Sequence, residues 1–132
     1  VSEYFSNSPI MPFIRCVFSG DPSSKLRVMA SLSKAIAASM GKPEAVVMCH
    51  VEHSESLMFG GSLDPASMIQ VESIGCDLAT IIPSLTEVMT TEGGVAADRC
   101  FYNFRDVGAE HFGKNDQTIA ALRAAAAAST KS

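Results

Sequence analysis

The feature that most constrains the fold is a helical spacing of apolar residues directly after a short run of β-forming residues. Residues 13–18 are rich in β-formers and predict a strand. Asp21 and Pro22 then predict a helix start, with the aspartate as cap and the proline at the first helical position. Gly41 predicts a left-handed stop, and Pro43 prevents continuation. The helix is predicted to have one apolar face, formed by Leu26, Met29, Leu32, Ile36 and Met40.

The rest of the chain predicts three more strands and a second helix. Residues 45–51, 66–74 and 100–104 are the predicted strands. The helix is predicted to start near Asp77, and Pro83 inside it predicts a kink or a late start, because proline lacks the amide proton of the helical ladder. Its inward residues are predicted to be Leu78, Ile81, Leu85, Val88 and Met89.

The resulting order is strand, helix, strand, strand, helix, strand. Both strand–helix–strand connections are long enough for parallel pairing with a right-handed crossover. The order predicts an α/β fold of two β-α-β units, with the helices on one face of a sheet. The opposite face then needs a cover, and self-association is the simplest one.

Composition narrows the class of protein. The chain has 132 residues, enough for one domain with a core, and is 47% hydrophobic and 18% charged. A net charge of -4 without a block of lysines or arginines argues against a nucleic-acid partner. No apolar run approaches the roughly 20 residues of a transmembrane helix. The compartment stays open: the cytoplasm by default, or an organelle if a leader was removed.

The cysteines are widely spaced and form no CxxC pair. We predict small buried thiols, with two disulfides as the alternative. The residues concerned are Cys16, Cys49, Cys76 and Cys100.

Several short stretches carry a family resemblance through their order and spacing. They are Met11-Pro12-Phe13-Ile14, Gly41-Lys42-Pro43-Glu44, Phe59-Gly60-Gly61-Ser62 with Asp64-Pro65, Ser73-Ile74-Gly75, and Ala97-Asp98-Arg99. Together they resemble the macrophage migration inhibitory factor family of the tautomerase superfamily. The resemblance predicts an N-terminal extension at 1–11, a tautomerase-like domain at 12–119 and an alanine-rich C-terminal extension at 120–132.

The resemblance implies a homotrimer around a central channel and keto–enol tautomerisation of phenylpyruvate-like acids at pockets between subunits. It assigns Pro12 as the catalytic base, Lys42 as the pocket lysine and Ile74 as a backbone contact to substrate. Asn103, from a neighbouring subunit, matches the pocket asparagine, and Phe101 stands where the family often has tyrosine. The resemblance implies no cofactor and no metal.

The chemistry requires a base whose pKa lies near the working pH. A free α-amine has a pKa near 8, and an apolar pocket with a neighbouring cation such as Lys42 lowers it. Pro12, however, follows Met11, so its nitrogen is an amide whose lone pair is delocalised into the peptide bond. Phe101 also lacks the tyrosine hydroxyl, and the tail at 113–115 lacks the family's tryptophan.

We therefore expect a non-catalytic binding or assembly subunit on the trimer scaffold. Residues 1–11, with Tyr4 and Phe5 as anchors, and residues 120–132 are expected to dock on neighbours or a larger complex. The alternative is a phenylpyruvate-type tautomerase that is processed to expose Pro12. A cytokine-like receptor ligand is a third reading that no residue tests.

Two motifs receive simpler interpretations. His50 and His53 are predicted to point to opposite faces of a strand end, which argues against a metal site. The stretch at 59–62 lacks the lysine of a phosphate-binding loop and is predicted to be a turn whose glycines allow close backbone approach.

Overall fold

The computed structural model describes the backbone of residues 11–131 and the side chains of residues 11–128. The predicted N-terminal anchors, Tyr4 and Phe5, lie outside the described residues. Within the described part, no helix is both long enough and apolar enough to cross a membrane.

Two β-α-β units form the fold. The main strands are β1 (Phe13–Phe18), β2 (Met48–His53), β3 (Ser67–Ser73) and β4 (Cys100–Asp106). They form a sheet in the order β2-β1-β3-β4. β1 pairs in parallel with β2 and β3 in parallel with β4, while the central pair β1 and β3 is antiparallel. The predicted order of elements is confirmed.

Helix α1 (Lys25–Met40) joins β1 to β2. Asp21 accepts a hydrogen bond from the Ser23 amide at 2.9 Å, as predicted for a cap, but Pro22 begins a short 3-10 turn and the α-helix starts after it. The predicted inward position of Leu26 is wrong: this side chain is 69% exposed. The buried stripe follows four-residue steps through Val28, Leu32 and Ile36, and Leu26 in the first turn lies off this stripe.

The second strand also begins later than predicted. Residues Glu44–Val46 form a 3-10 turn, in which the amide of Val47 donates to the carbonyl of Glu44 at 2.9 Å. Pro43 precedes this turn with an extended backbone. Val46 therefore lies in this turn in spite of the high β propensity of valine, and the pairing of β2 with β1 starts at Met48.

Helix α2 (Leu78–Thr91) joins β3 to β4. Asp77 caps it by accepting from the amide of Ala79 at 3.1 Å. Of the two predicted effects of Pro83, a kink or a late start, the late start is wrong, since the helix begins directly after this cap and continues through Pro83. Four predicted inward residues are buried and Leu78 is half-buried against them: Ile81, Leu85, Val88 and Met89.

Both helices pack on one face of the sheet, as predicted. Alternate strand residues point into this layer, for example Ile69 and Val71, while Met68 and Gln70 are exposed on the other face. We call the layer the main core: Ile14, Cys16, Phe18, Val28, Leu32, Ile36, Val51, Ile69, Val71, Ile81, Leu85, Val88, Met89, Val95 and Cys100. The open sheet face is mixed and carries the ion pairs of Arg15 with Glu52 (3.7 Å) and of Arg105 with Glu72 (3.5 Å).

All four cysteines are free thiols, which excludes the alternative of two disulfides in this structure. Cys16 and Cys100 are buried, as predicted, whereas Cys49 and Cys76 are half-buried. Burial raises the pKa of Cys16 to about 12 and that of Cys49 to about 11, because the charged thiolate is poorly solvated there.

The C-terminal part adds a short hairpin and a helix. The hairpin pairs β5 (Gly113–Lys114) with β6 (Gln117–Thr118), and α3 (Ile119–Lys131) follows it directly. The hydroxyl of Thr118 accepts from the amide of Ala121 at 3.0 Å, which caps the helix start. The helix therefore begins at the last residue of the predicted domain and continues through the predicted extension.

Candidate active site

Pro12 lies immediately before β1 and is buried. Its carbonyl oxygen accepts a hydrogen bond from the amide of Met48 at 3.0 Å, which extends the pairing of β1 with β2. Phe13 lies opposite Glu72 in the antiparallel pair of β1 and β3. The residues before β1 therefore lie next to those that follow β3, which brings this end of the chain to Ile74.

A small apolar cluster surrounds this end of β1. Its buried side chains come from widely separated segments: Met11, Val46, Ile74 and Ile119. Partly buried side chains pack against them: Ala109, Phe112, Leu122 and Ala126. We call these residues together the Met11 cluster. Of them, the sequence predicted only Ile74, because residues so far apart share no periodic pattern that would indicate contact.

Met11 occupies a defined position in this cluster. Its side chain is only 7% exposed, and its backbone has a φ of +61°. Residues with a side chain rarely adopt this left-handed conformation, and it persists where the surroundings hold it. The peptide bond from Met11 also makes the nitrogen of Pro12 an amide. In this chain, Pro12 therefore presents no basic nitrogen, and the apolar space beside it is filled.

Lys42 lies in the segment that leads from α1 to the Met11 cluster. Its amide donates to the carbonyl of Ala37 at 2.9 Å, and its side chain is half-buried. Gly41, directly before it, has a φ of +65° and ends α1 as predicted. The 3-10 turn that contributes Val46 to the cluster follows shortly after.

Asn103 and Phe101 lie on the open face of the sheet. Asn103 is opposite Gln70 and Phe101 is opposite Met68 in the pair of β3 and β4. Asn103 is exposed and lines a cavity of about 270 Å³ with Phe13, Arg15, Gln70, Glu72 and Arg105. A single chain therefore does not bring Asn103 and Phe101 into the Met11 cluster. Of the predicted site residues, Ile74 belongs to this cluster, and Pro12 directly follows its Met11.

A second cavity, of about 420 Å³, adjoins the first and is lined by Glu72, Arg105, Asp106, Val107, Gly108, His111 and Phe112. Phe112 contributes to this cavity and also packs on the Met11 cluster. Phe112 therefore supplies an aromatic side chain directly before the tail segment at 113–115 that lacks the family's tryptophan.

Residues 59–62 form a turn, as predicted, but the turn requires its glycines for a different physical reason. Phe59 and Ser62 exchange two backbone hydrogen bonds of 3.1 Å across Gly60 and Gly61. A Cβ added at either glycine would meet nothing within 4 Å, so the predicted close backbone approach is wrong. The glycines instead supply the positive φ angles, +62° and +74°, that a two-residue hairpin turn requires.

Arg99 fixes this turn against β4, a role that the sequence analysis missed. Its guanidinium donates to the carbonyl oxygens of Phe59, Ser62, Asp64 and Pro65 at distances of 3.0 to 3.2 Å. It also lies 5.2 Å from the centre of the Phe59 ring, which in turn contacts the Phe101 ring at 4.4 Å. No sequence signal could reveal these acceptors, because backbone carbonyls are present whatever the residue type.

The two strand histidines lie on opposite faces of β2, as predicted. Nε2 of His50 is 3.2 Å from a carboxylate oxygen of Glu52 on the open face. Nε2 of His53 is 2.9 Å from the carbonyl oxygen of Gly20, and its ring packs edge-on against Phe18. Among residues 11–131 there is no group of three histidine, cysteine or acidic side chains that could hold a metal ion.

A family model described as Macrophage migration inhibitory factor (MIF) matches residues 11–120. The chain belongs to the macrophage migration inhibitory factor family. This confirms the resemblance carried by the short stretches of sequence. The match includes both Met11 and Ile119 of the Met11 cluster and ends within the first turn of α3.

Relatives and solved structures agree with this membership. The chain is 32% identical over 91 residues to the macrophage migration inhibitory factor homolog of Brugia malayi, covering 66% of this chain and 79% of that protein. It is 31% identical over 108 residues to the homolog of Trichuris trichiura, covering 74% and 91%. The crystal structure of the homologue from Prochlorococcus marinus superposes with a TM-score of 0.73 at 27% identity, over 81% of this chain and 98% of that one. The predicted fold class is confirmed.

Proposed function

We propose that the chain, with Met11 attached to Pro12, is a non-catalytic member of its family that acts as a binding or assembly subunit. The observation that carries this proposal is the position of Met11. Its peptide bond removes the basic lone pair of the Pro12 nitrogen, and its side chain is buried against Ile74. A base and an open pocket are both needed for proton transfer from a bound keto acid.

Self-association is the interaction that the open sheet face supports best. Met48 and Met68 are large apolar side chains on this face, 68% and 38% exposed. Asn103 and Phe101 lie on the same face, and for Asn103 this fits the family arrangement, in which the matching asparagine serves the pocket of a neighbouring subunit. We propose a homotrimer, with residues 1–11 and 120–132 available for contacts in a larger assembly.

A second candidate function is a phenylpyruvate-type keto–enol tautomerase formed by cleavage between Met11 and Pro12. The apolar surroundings favour it: a freed Pro12 amine would adjoin the position that Met11 now holds in a cluster with Ile74 and Val46, and apolar surroundings lower the pKa of an amine towards the working pH. In this reading Lys42 holds the substrate carboxylate, and Asn103 and Phe101 of a neighbouring subunit complete the pocket.

The test compares phenylpyruvate tautomerisation by the full chain and by a chain that starts at Pro12. We expect no turnover by the full chain above the uncatalysed rate, with its intact mass checked after the assay. Turnover by the intact full chain would contradict the proposal. Turnover by the Pro12-first chain alone would establish the latent enzyme, and a Pro12-first chain with Pro12→Gly would show whether the secondary amine carries it.

Native mass measured by light scattering tests the assembly. A species of three chains supports the trimer, and a larger defined complex supports a role in assembly. A monomer at micromolar concentration would contradict both forms of the proposal, because the open sheet face would then remain uncovered.

A further inference from the structure

Helix α3 covers the Met11 cluster with one face. Ile119, Leu122 and Ala126 lie at three- and four-residue steps and contact the cluster. Ala121, Ala124 and Ala125 lie on the other side of the helix and are exposed. One side of the alanine-rich helix therefore packs on the protein and the other side is exposed, although alanine dominates its composition.

The cover is fixed firmly at one end. The amide of Ile119 donates to the carbonyl of Phe112 at 2.7 Å, and Thr118 caps the first turn. Among the side chains described beyond Leu122, Ala126 packs on the cluster, and an alanine buries little apolar area and contributes correspondingly little free energy. An anchored start followed by a small apolar contact is the arrangement expected of a hinged cover.

Met11 needs such a cover. Its left-handed backbone is of the kind that costs on the order of 1–3 kcal/mol and that surrounding contacts must maintain. These contacts come from Val46 and Ile74 on the sheet side and from Ile119 at the start of α3. Without α3, the apolar side chain of Met11 would lose part of its enclosure.

We propose that α3 is a hinged cover, which holds the Met11 side chain in the Met11 cluster and can open while the main core stays folded. The inference rests on the proposed function, because it concerns the same site. When α3 opens, Met11 is free to leave, and the vacated space suits an apolar group of a small molecule. Access to the site is then controlled by the C-terminal helix as well as by the Met11–Pro12 bond.

Methionine oxidation by hydrogen peroxide, mapped residue by residue with mass spectrometry, tests this directly. Met58, which is 61% exposed and is not part of the open sheet face, serves as the freely reactive reference. Met89 is fully buried in the main core and reports global unfolding. In the unchanged chain we expect Met58 to oxidise rapidly, and Met11 and Met89 slowly.

Ala126→Glu places a charge on the covering face, and Ala125→Glu is its matched control on the exposed face of the same turn. We expect Ala126→Glu to raise the oxidation rate of Met11 about fivefold or more, a factor that corresponds to about 1 kcal/mol, while Met89 stays protected. Ala125→Glu should leave both rates unchanged. An unchanged Met11 rate in Ala126→Glu would overturn the proposal, as would a Met11 that reacts as fast as Met58 in the unchanged chain.

If Ala126→Glu also makes Met89 reactive, a chain that ends at Ala121 decides the question without adding a charge. Reactive Met11 with protected Met89 supports the cover. Protected Met11, or loss of protection at both residues, overturns it. Because oxidation reports packing and not turnover, an active full chain with the expected oxidation pattern would refute the proposed function while leaving the cover intact.

Discussion

The main core and the Met11 cluster are both apolar, but they are assembled in different ways. The main core takes several residues from each of the two helices and from the central strands β1 and β3, at the regular spacing of those elements, and one residue each from β2 and β4. The Met11 cluster takes its buried residues singly, from the segment before β1, a 3-10 turn, the segment after β3 and the start of α3.

This difference separates the stability of the fold from access to the site. The main core contains large side chains such as Phe18, Leu32 and Ile36 that are fully buried between the sheet and both helices. Regions with many such contacts open only when the whole domain unfolds, whereas regions with few of them open locally. The Met11 cluster, covered by an alanine-rich helix, belongs to the second kind.

The largest expected effect concerns the main core alone. Leu32→Ala should lower the free energy of unfolding by about 2–5 kcal/mol, because it leaves a cavity where the side chain was fully buried. Leu26→Ala is the matched control in the same helix, and it should change this free energy by no more than about 0.5 kcal/mol. Urea unfolding followed by circular dichroism measures both, since the chain has no tryptophan. Equal losses would mean that Leu26 also contributes to a buried surface, such as a subunit interface.

A smaller effect compares the two regions by the same chemical change. Ile36→Val in the main core and Ile119→Val in the Met11 cluster each remove one methyl group from a fully buried side chain, a loss of about 0.5–1.5 kcal/mol. For Ile36 we expect the loss in global unfolding. For Ile119 we expect it in the local opening of α3, measured as faster amide hydrogen exchange in that helix. Equally faster exchange throughout β1 and α1 in Ile119→Val would show that the two regions unfold as one unit.

The smallest effect is electrostatic and should spare the Met11 cluster. Hydrogen bonds from the side chain and the backbone of Ser23 hold the pKa of Asp21 below its usual value, and the charge of Arg27 adds to this. A lowered folded-state pKa gives stability that is present above the unfolded value of about 3.9 and is lost as the pH falls through the folded value.

Urea midpoints measured from about pH 6 downwards should therefore fall more steeply in the unchanged chain than in Asp21→Asn, which keeps a capping acceptor but does not titrate. Met11 oxidation should not follow this trend, because the side chains of its cluster are all apolar. Parallel pH profiles in the two chains would show that Asp21 makes no net contribution.

Much of the fold could be predicted because regular elements repeat. The four-residue steps that bury Leu32 and Ile36 and the two-residue alternation that buries Ile69 and Val71 are local patterns. The errors arose at element ends, where a 3-10 turn displaced the start of α1 and left Leu26 exposed. Turns of this kind depend on a few hydrogen bonds that carry little sequence signal.

The candidate site was predicted in a different way and to a different extent. Pro12, Lys42, Ile74, Asn103 and Phe101 came from the family resemblance. The structure places Ile74 in the Met11 cluster, and Asn103 and Phe101 on the open sheet face. Their roles stay predictions. The sequence did show that the Pro12 nitrogen is not basic in this chain, because the peptide bond from Met11 makes it an amide.

By itself, then, the sequence determined the family, the order of strands and helices, and the loss of a basic nitrogen at Pro12. Only the tertiary structure decided that Met11 fills the space beside Ile74, that α3 covers it, and that Arg99 holds the turn next to Phe101. The physical reason is that the first group rests on covalent connectivity and local periodicity. The second rests on contacts between residues far apart in the chain, which exist only once the strands have paired.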